Sequence, residues 1–307
     1  MTSTRRLGPT LAGALGLALA CAGSAGAAPA PAGACQLTVA PSSSTWSISG
    51  YNPFSSSPLS ATYTVTFGNA GTASCDVRVR FRTDGQVYGL AGSGGQSLPY
   101  TLLDDTDNAN ATPFGGMTSN NAQPQLVLKP GAQQIIQYAF VVDLSQLPTD
   151  GDFTQHLVVD GVSGVDVLAE KQIDLTLNVA PSAVIGLRGA YVSSGHGGAL
   201  VDLGELAPGR ATTLLQLYVQ STGGYRIDAE SANNGQLRLV GAPQWAVGYT
   251  MNIGDNSLNL ASNAHFSEPR LTTARQDLLP IGFVIGDTAQ RRAGAYADVI
   301  TISVTPQ

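Results

Sequence analysis

Charge is what this sequence has least of. Asp, Glu, Lys and Arg make up 12% of its 307 residues, where a globular chain ordinarily carries about 25%. Lysine occurs only at Lys129 and Lys171, and the formal net charge is −6. Nucleic acid rewards clustered cations, so it is not expected as a partner. Histidine is equally scarce. His156, His196 and His265 stand far apart, with no spacing suited to a metal. Nucleophile motifs fail as well. Gly92-Ser93-Gly94-Gly95 has Ala91 where a nucleophile elbow needs glycine, and it lacks the Gly-Lys-Ser/Thr ending that cradles phosphate. The expectation is no enzyme, no cofactor and no metal centre.

Long hydrophobic runs are also missing. The longest, Leu11 to Ala20, follows Arg5-Arg6 and precedes Ala25-Gly26-Ala27. A bilayer span needs about 20 apolar residues, so no membrane span is expected. A charged start, a short apolar stretch and an A-x-A site describe a secretory signal peptide over residues 1–27. Two variants stay open: Ala18-Leu19-Ala20-Cys21 loosely resembles a lipoprotein box, and the arginine pair a twin-arginine signal. Both depart from their patterns. The expected route runs through the periplasm to the cell surface or the medium. Cys21 leaves with the signal, so Cys35 and Cys75 are the thiols that remain. In an oxidising compartment such a pair forms a disulfide; a metal site or catalytic thiol is the alternative, without nearby histidine to support it.

What is abundant is turn-forming: 36 glycines and 17 prolines, within a chain that is 43% hydrophobic. Ala61-Thr-Tyr-Thr-Val-Thr-Phe67 and Cys75-Asp-Val-Arg-Val-Arg-Phe81 alternate strictly, the pattern of half-buried antiparallel strands. Similar runs are Tyr100–Leu103, Gln125–Leu128, Gln134–Val142, His156–Val159 and Ile173–Val179, with Pro-Gly turns between them. Near Val179-Ala180-Pro181 the pattern restarts, with strands expected at Thr213–Val219, Tyr225–Glu230, Gln236–Val240, Val247–Ile253, Leu279–Ile285 and Ala297–Val304. Leu144–Leu147 has room for one helical turn. A domain takes about 150 residues, so the chain reads as all-β, two tandem β-sandwiches over 28–180 and 181–307 behind the signal peptide.

Two loops invite function. Asp104-Asp-Thr-Asp-Asn-Ala-Asn110 is either a calcium loop or a solvated turn whose Asx side chains cap their own backbone. Tyr51 and Phe54, with Phe114 and Met117, sit in Gly/Pro/Ser-rich segments; they either form an adhesive tip or fold back over an open end of the sandwich. Trp46 and Trp245 read as core or sheet-face residues.

Ala293-Gly-Ala-Tyr-Ala-Asp-Val-Ile-Thr-Ile-Ser-Val-Thr-Pro-Gln307 resembles the last strand of chaperone–usher pilins, and more closely the spore coat protein U domain of archaic pili. Gly294, Tyr296 and Asp298 match that pattern, while Ala295 and Ala297 replace hydroxyl residues. Tyr225-Arg-Ile227, Gly235-Gln-Leu237, Gly248-Tyr-Thr250 and Leu279-Pro-Ile281 match in order. The resemblance covers about 182–307 and extends loosely to the first domain through Cys35, Cys75, Leu98-Pro-Tyr-Thr-Leu102 and Gly151-Asp-Phe-Thr154.

The resemblance implies two tandem immunoglobulin-like, pilin-type sandwiches and assembly by donor-strand complementation: a sandwich lacking its last strand borrows one from a periplasmic chaperone, then from a neighbouring pilin subunit at the usher. Gly294, Tyr296, Asp298, Ile300, Ile302 and Val304 are then expected along the accepting edge. In the first domain, Ile173–Val179 is expected to supply the closing strand from within. Residues 28–34 lack an alternating apolar pattern and are not expected to donate. A two-domain subunit that accepts but does not give a strand belongs at a fibre tip, its first domain facing a host or abiotic receptor. The rival readings are a free-standing secreted binding protein, for carbohydrate for instance, and a periplasmic chaperone. The latter would need a basic anchoring pair, for which Lys171 and Arg188 have no context.

Overall fold

A computed structural model describes residues 33–113, 125–195 and 197–307. The signal-peptide expectation, Phe114, Met117 and His196 lie outside the described residues. Every regular element among them is a strand. Leu144–Leu147, which has room for a helical turn by sequence, follows strand β9 as irregular chain with bends.

The first eleven strands are β1 (Leu37–Pro41), β2 (Thr45–Tyr51), β3 (Ser60–Asn69), β4 (Cys75–Arg82), β5 (Leu90–Gly92), β6 (Ser97–Leu98), β7 (Tyr100–Asp104), β8 (Gln125–Leu128), β9 (Gln133–Val142), β10 (Gly151–Ser163) and β11 (Asp166–Val179). They form two sheets, ordered β1-β3-β9-β7 and β2-β11-β10-β4-β8, with β5 and β6 attached to the second. The alternation seen in the sequence is the burial pattern: Val65 and Phe67 on β3, and Val77, Val79 and Phe81 on β4, face a common core. Trp46 lies at its centre, fully buried, stacked on Tyr63 at 5.1 Å with Phe81 edge-on at 6.1 Å. A disulfide joins Cys35 to Cys75, tying the segment before β1 to the start of β4.

The remaining strands are β12 (Ala183–Gly189), β13 (Val192–Gly195), β14 (Gly198–Leu200), β15 (Gly209–Arg210), β16 (Leu215–Ser221), β17 (Tyr225–Ser231), β18 (Gln236–Leu239), β19 (Ala246–Ile253), β20 (Asn256–Leu258), β21 (Ala264–Glu268), β22 (Arg275–Ile285), β23 (Tyr296–Ala297) and β24 (Ile300–Pro306). One sheet runs β12-β16-β22-β19-β18-β23, and a three-stranded sheet β21-β17-β24 faces it. Between them lies a second cluster built on Val219, Ile227, Met251, Ile253 and Phe283, separate from the first.

The two sandwiches meet at a bonded joint. The Ala180 N–H donates to the Tyr51 carbonyl (2.8 Å), that of Thr222 to Ser182 (3.0 Å), and that of Asp150 to Thr222 (3.0 Å). Ser182 and Thr222 are buried, so the connection is held on both sides instead of hanging as a free linker.

Candidate functional site: an unpaired edge in the second sandwich

The last strand of each sandwich has a different fate. In the first, β11 runs antiparallel to β10 and parallel to β2, closing the sheet between them. Its inward residues Ile173, Leu175, Leu177 and Val179 are at most 1% exposed. In the second, β24 occupies the place of β10. It pairs with β17 alone, and among the described residues no strand joins its outer side.

The hydrogen-bond alternation says which groups face that open side. The Ala232 N–H donates to the Val299 carbonyl and the Gln307 N–H to the Gly224 carbonyl, both at 2.9 Å. In an antiparallel ladder bonded and non-bonded pairs alternate. Residues 299, 301, 303, 305 and 307 therefore spend their main-chain groups on β17 or its flanks, while Ile300, Ile302 and Val304 point theirs outward. Across the gap, β12 repeats the arrangement. The Thr222 N–H bonds to Ser182 and the Ala190 N–H to Leu214, so the main-chain groups of Ala183, Ile185 and Leu187 face away from β16. β12 and β24 approach one another without sharing a ladder.

The side chains tell the same story. Ala183, Ile185 and Leu187 from β12, with Ile300, Ile302 and Val304 from β24, pack against the second core yet stay only half-buried. Their equivalents in a closed sheet would be covered, as those of β11 are. Two free backbone edges flank one strip of partly exposed apolar side chains. An open edge beside an apolar groove has the geometry for strand addition, in which main-chain bonds form along the edge and alternate apolar side chains fill the groove.

The predicted edge residues divide. Ile300, Ile302 and Val304 lie on the open edge. Gly294 and Tyr296 do not: β23 pairs with β18 in the opposite sheet, Tyr296 opposite Leu239, and the Tyr296 hydroxyl donates to the Arg292 carbonyl at 2.7 Å. Gly294 has φ +149°, and a Cβ there would stand 2.5 Å from the Leu239 side chain, so this position requires glycine. Asp298 sits where the chain crosses from one sheet to the other. Sequence reasoning missed β12 entirely. Its signal was the alternation of Ala183, Ile185 and Leu187, interrupted by Gly186.

The loop candidates resolve differently. Tyr51 is buried in the first core, and its register partner is Val179 at the end of β11. That corrects its assignment to an exposed tip: it closes the joint-facing end of the sandwich. Phe54 is half-buried beside it, its N–H bonded to the Asn52 side chain at 2.9 Å. Two carboxylates of the acidic loop cap its own backbone, and the third, Asp105, accepts from the Gln137 side-chain amide at 2.9 Å. Asp104 accepts from the Thr106 N–H (2.8 Å) and Asp107 from the Ala109 N–H (2.9 Å), the capping geometry of Asx turns. His156 pairs with Asp174 on an exposed sheet face, and His265 lies on β21. Trp46 is core, and Trp245 is half-buried.

Compared by sequence, no family model matches the chain and no curated protein matches it. Compared by structure, it is similar to several fimbrial proteins at low identity. One is the chaperone–tip adhesion subunit pre-assembly complex from archaic chaperone–usher Csu pili of Acinetobacter baumannii: 13% identity, 88% of this chain and 99% of that one, TM-score 0.45. Another is the CupB6 tip adhesin from Pseudomonas aeruginosa: 12% identity, 88% and 93%, TM-score 0.38. A third is CfaE, the adhesive subunit of CFA/I fimbria of enterotoxigenic Escherichia coli: 10% identity, 88% and 81%, TM-score 0.33.

Proposed function

We propose that the chain is a strand-accepting subunit of a chaperone–usher surface fibre, with its first sandwich at the tip. The observation that carries this reading is internal to the molecule: β11 fills in one sandwich the place that stands open between β12 and β24 in the other. The likeness of the C-terminal segment to archaic pilins supplies the class of partner: a periplasmic chaperone during export, then a neighbouring subunit.

Direction supports the tip position. If an incoming strand copies β11, it runs antiparallel to β24 and parallel to β12. Since β12 begins at the joint and β24 ends there, that strand starts beside the first sandwich and leaves at the far pole. A donor whose body follows its strand, as the resemblance implies, then lies on the side away from residues 33–179. The first sandwich is left free for contact with a host or abiotic surface. Its unencumbered pole carries the Lys129-Pro130-Gly131 turn and the end of the β10–β11 hairpin, while Tyr51 and Phe54 lie at the joint.

The test is export of the full chain to a bacterial periplasm with and without a candidate chaperone. The expected result is a soluble one-to-one complex with the chaperone and aggregation without it. Ile302→Asp, and deletion of residues 294–307, should abolish the complex while export continues. A stable, soluble monomer in the absence of any chaperone would overturn the reading and favour a free-standing binding protein.

A further inference from the structure

We infer that Asp298 fixes the register of β24, and with it which residues the open edge presents; this rests on the strand-acceptor reading. The strand cannot choose its own register well. Ile300-Thr-Ile-Ser-Val-Thr-Pro306 has period two, so a slip by one residue would turn the apolar set outward, but a slip by two keeps Ile and Val in and Thr and Ser out. Something outside the alternation has to decide.

Asp298 lies two residues upstream, and four donors converge on it. Its Oδ2 accepts from the Ser231 hydroxyl at 2.5 Å and the Tyr249 hydroxyl at 2.6 Å. Its Oδ1 accepts from the N–H of Asn233 at 3.0 Å and of Val299 at 2.8 Å. Ser231 ends β17, Asn233 sits in the following turn, and Tyr249 comes from β19 in the opposite sheet. Ser231 and Tyr249 are buried, and Ser231 is itself held by the Gly235 N–H at 2.8 Å. Burial, and then the bond to Asp298, push the Tyr249 hydroxyl well above the ordinary phenol range, so it remains a donor at neutral pH. One carboxylate thus locks the start of β24 to both sheets. A two-residue slip would carry it about 7 Å along the strand, out of reach of Ser231, Asn233 and Tyr249 together.

The consequence for assembly is that an incoming strand meets one edge, not a set of slipped ones. Asp298 is a positioning residue: it touches no partner and acts through Ile300, Ile302 and Val304.

Disulfide trapping in the exported full chain reads the register directly. Ala229 lies opposite Ile302, a non-hydrogen-bonded pair whose spacing suits a disulfide. The pairs A229C/I302C, A229C/I300C and A229C/V304C report the native register and the two slips, with cross-links mapped by mass spectrometry. With Asp298 intact, only the first pair should link; in Asp298→Ala, linking should spread to a slipped pair. Exclusive linking of 229 to 302 in both backgrounds would overturn the inference. If Asp298→Ala does not fold, Tyr249→Phe combined with Ser231→Ala carries the same test: a slipped link supports the inference, and the native link alone overturns it. The cross-link lies within one chain and is mapped in the presence of the candidate chaperone as well as in its absence, so its outcome is separate from the strand-acceptor reading, which the chaperone experiment decides.

Discussion

Arg270, in the second sandwich, donates through Nη2 to the main-chain oxygen of Asp150 in the first at 2.6 Å, while its Nη1 pairs with the Asp150 carboxylate. Asp150 is buried and Arg270 is partly exposed. The other carboxylate oxygen of Asp150 has no partner among the described residues, which leaves Arg270 as the counter-charge at the joint.

Arg270→Ala should therefore loosen the joint more than it unfolds either half. Because the arginine is 45% exposed, the cost to stability should be modest, about 1–2 kcal/mol. The clearer readout is limited proteolysis at residues 180–182, expected to quicken, with a broader distribution of shapes in small-angle scattering. Unchanged cleavage would show that the main-chain bond from Asp150 to Thr222 holds the joint without the arginine.

Gly294→Ala should destabilise the second sandwich by about 1–3 kcal/mol, since it places a side chain in a left-handed backbone and against Leu239. Gly248→Ala is the matched control. Its φ is ordinary and a Cβ there meets nothing within 4 Å, so thermal unfolding should change little. Equal effects from the two variants would refute the steric account.

Replacing Cys35 and Cys75 by serine opens a loop with a sequence separation of 40. The chain-entropy account assigns such a loop about 3–4 kcal/mol. Calorimetry should show the loss in the first sandwich's transition, with that of the second unmoved.

Alkaline pH should unfold the protein through its tyrosines. Burial raises the hydroxyls of Tyr100 and Tyr138 in the first sandwich. In the second, burial and the neighbouring carboxylates Asp277 and Asp298 raise those of Tyr225 and Tyr249. A folded-state value raised above the unfolded one gives stability that is complete below the unfolded value of about 10 and is lost as pH rises beyond it. Stability should thus be insensitive to these groups at neutral pH and fall steeply above about pH 10. Phenolate absorbance from these four should appear together with loss of the circular dichroism of the strands. Ionisation of all ten tyrosines with the fold intact would contradict it.

How much of this was legible in the chain depended on whether a strand has one face wet and one dry. β3 and β4 do, and their alternation fell within a few residues of the observed strands. The β10–β11 hairpin shows the limit. Sequence reading found Ile173–Val179, where β11 crosses the core, and missed Asp166 to Gln172, which is mostly exposed on both faces and so has no alternation to read. β1, β2 and β12 were missed for a related reason. Their Pro41, Gly50 and Gly186 read locally as turns or breaks and interrupt the alternation.

Composition and periodicity by themselves determined the all-β class, because strand alternation is a local property; counting cysteines made Cys35–Cys75 the leading pair, and the structure showed the bond. Only the tertiary structure decided that β11 is paired on both sides and β24 on one, that Tyr51 is buried, and that four donors meet at Asp298. Those outcomes depend on which distant segments become neighbours: Thr45 beside Asp174, or Tyr249 beside Asp298. Long-range pairing is set by how the whole chain buries its apolar faces at once, and no window of sequence contains that information.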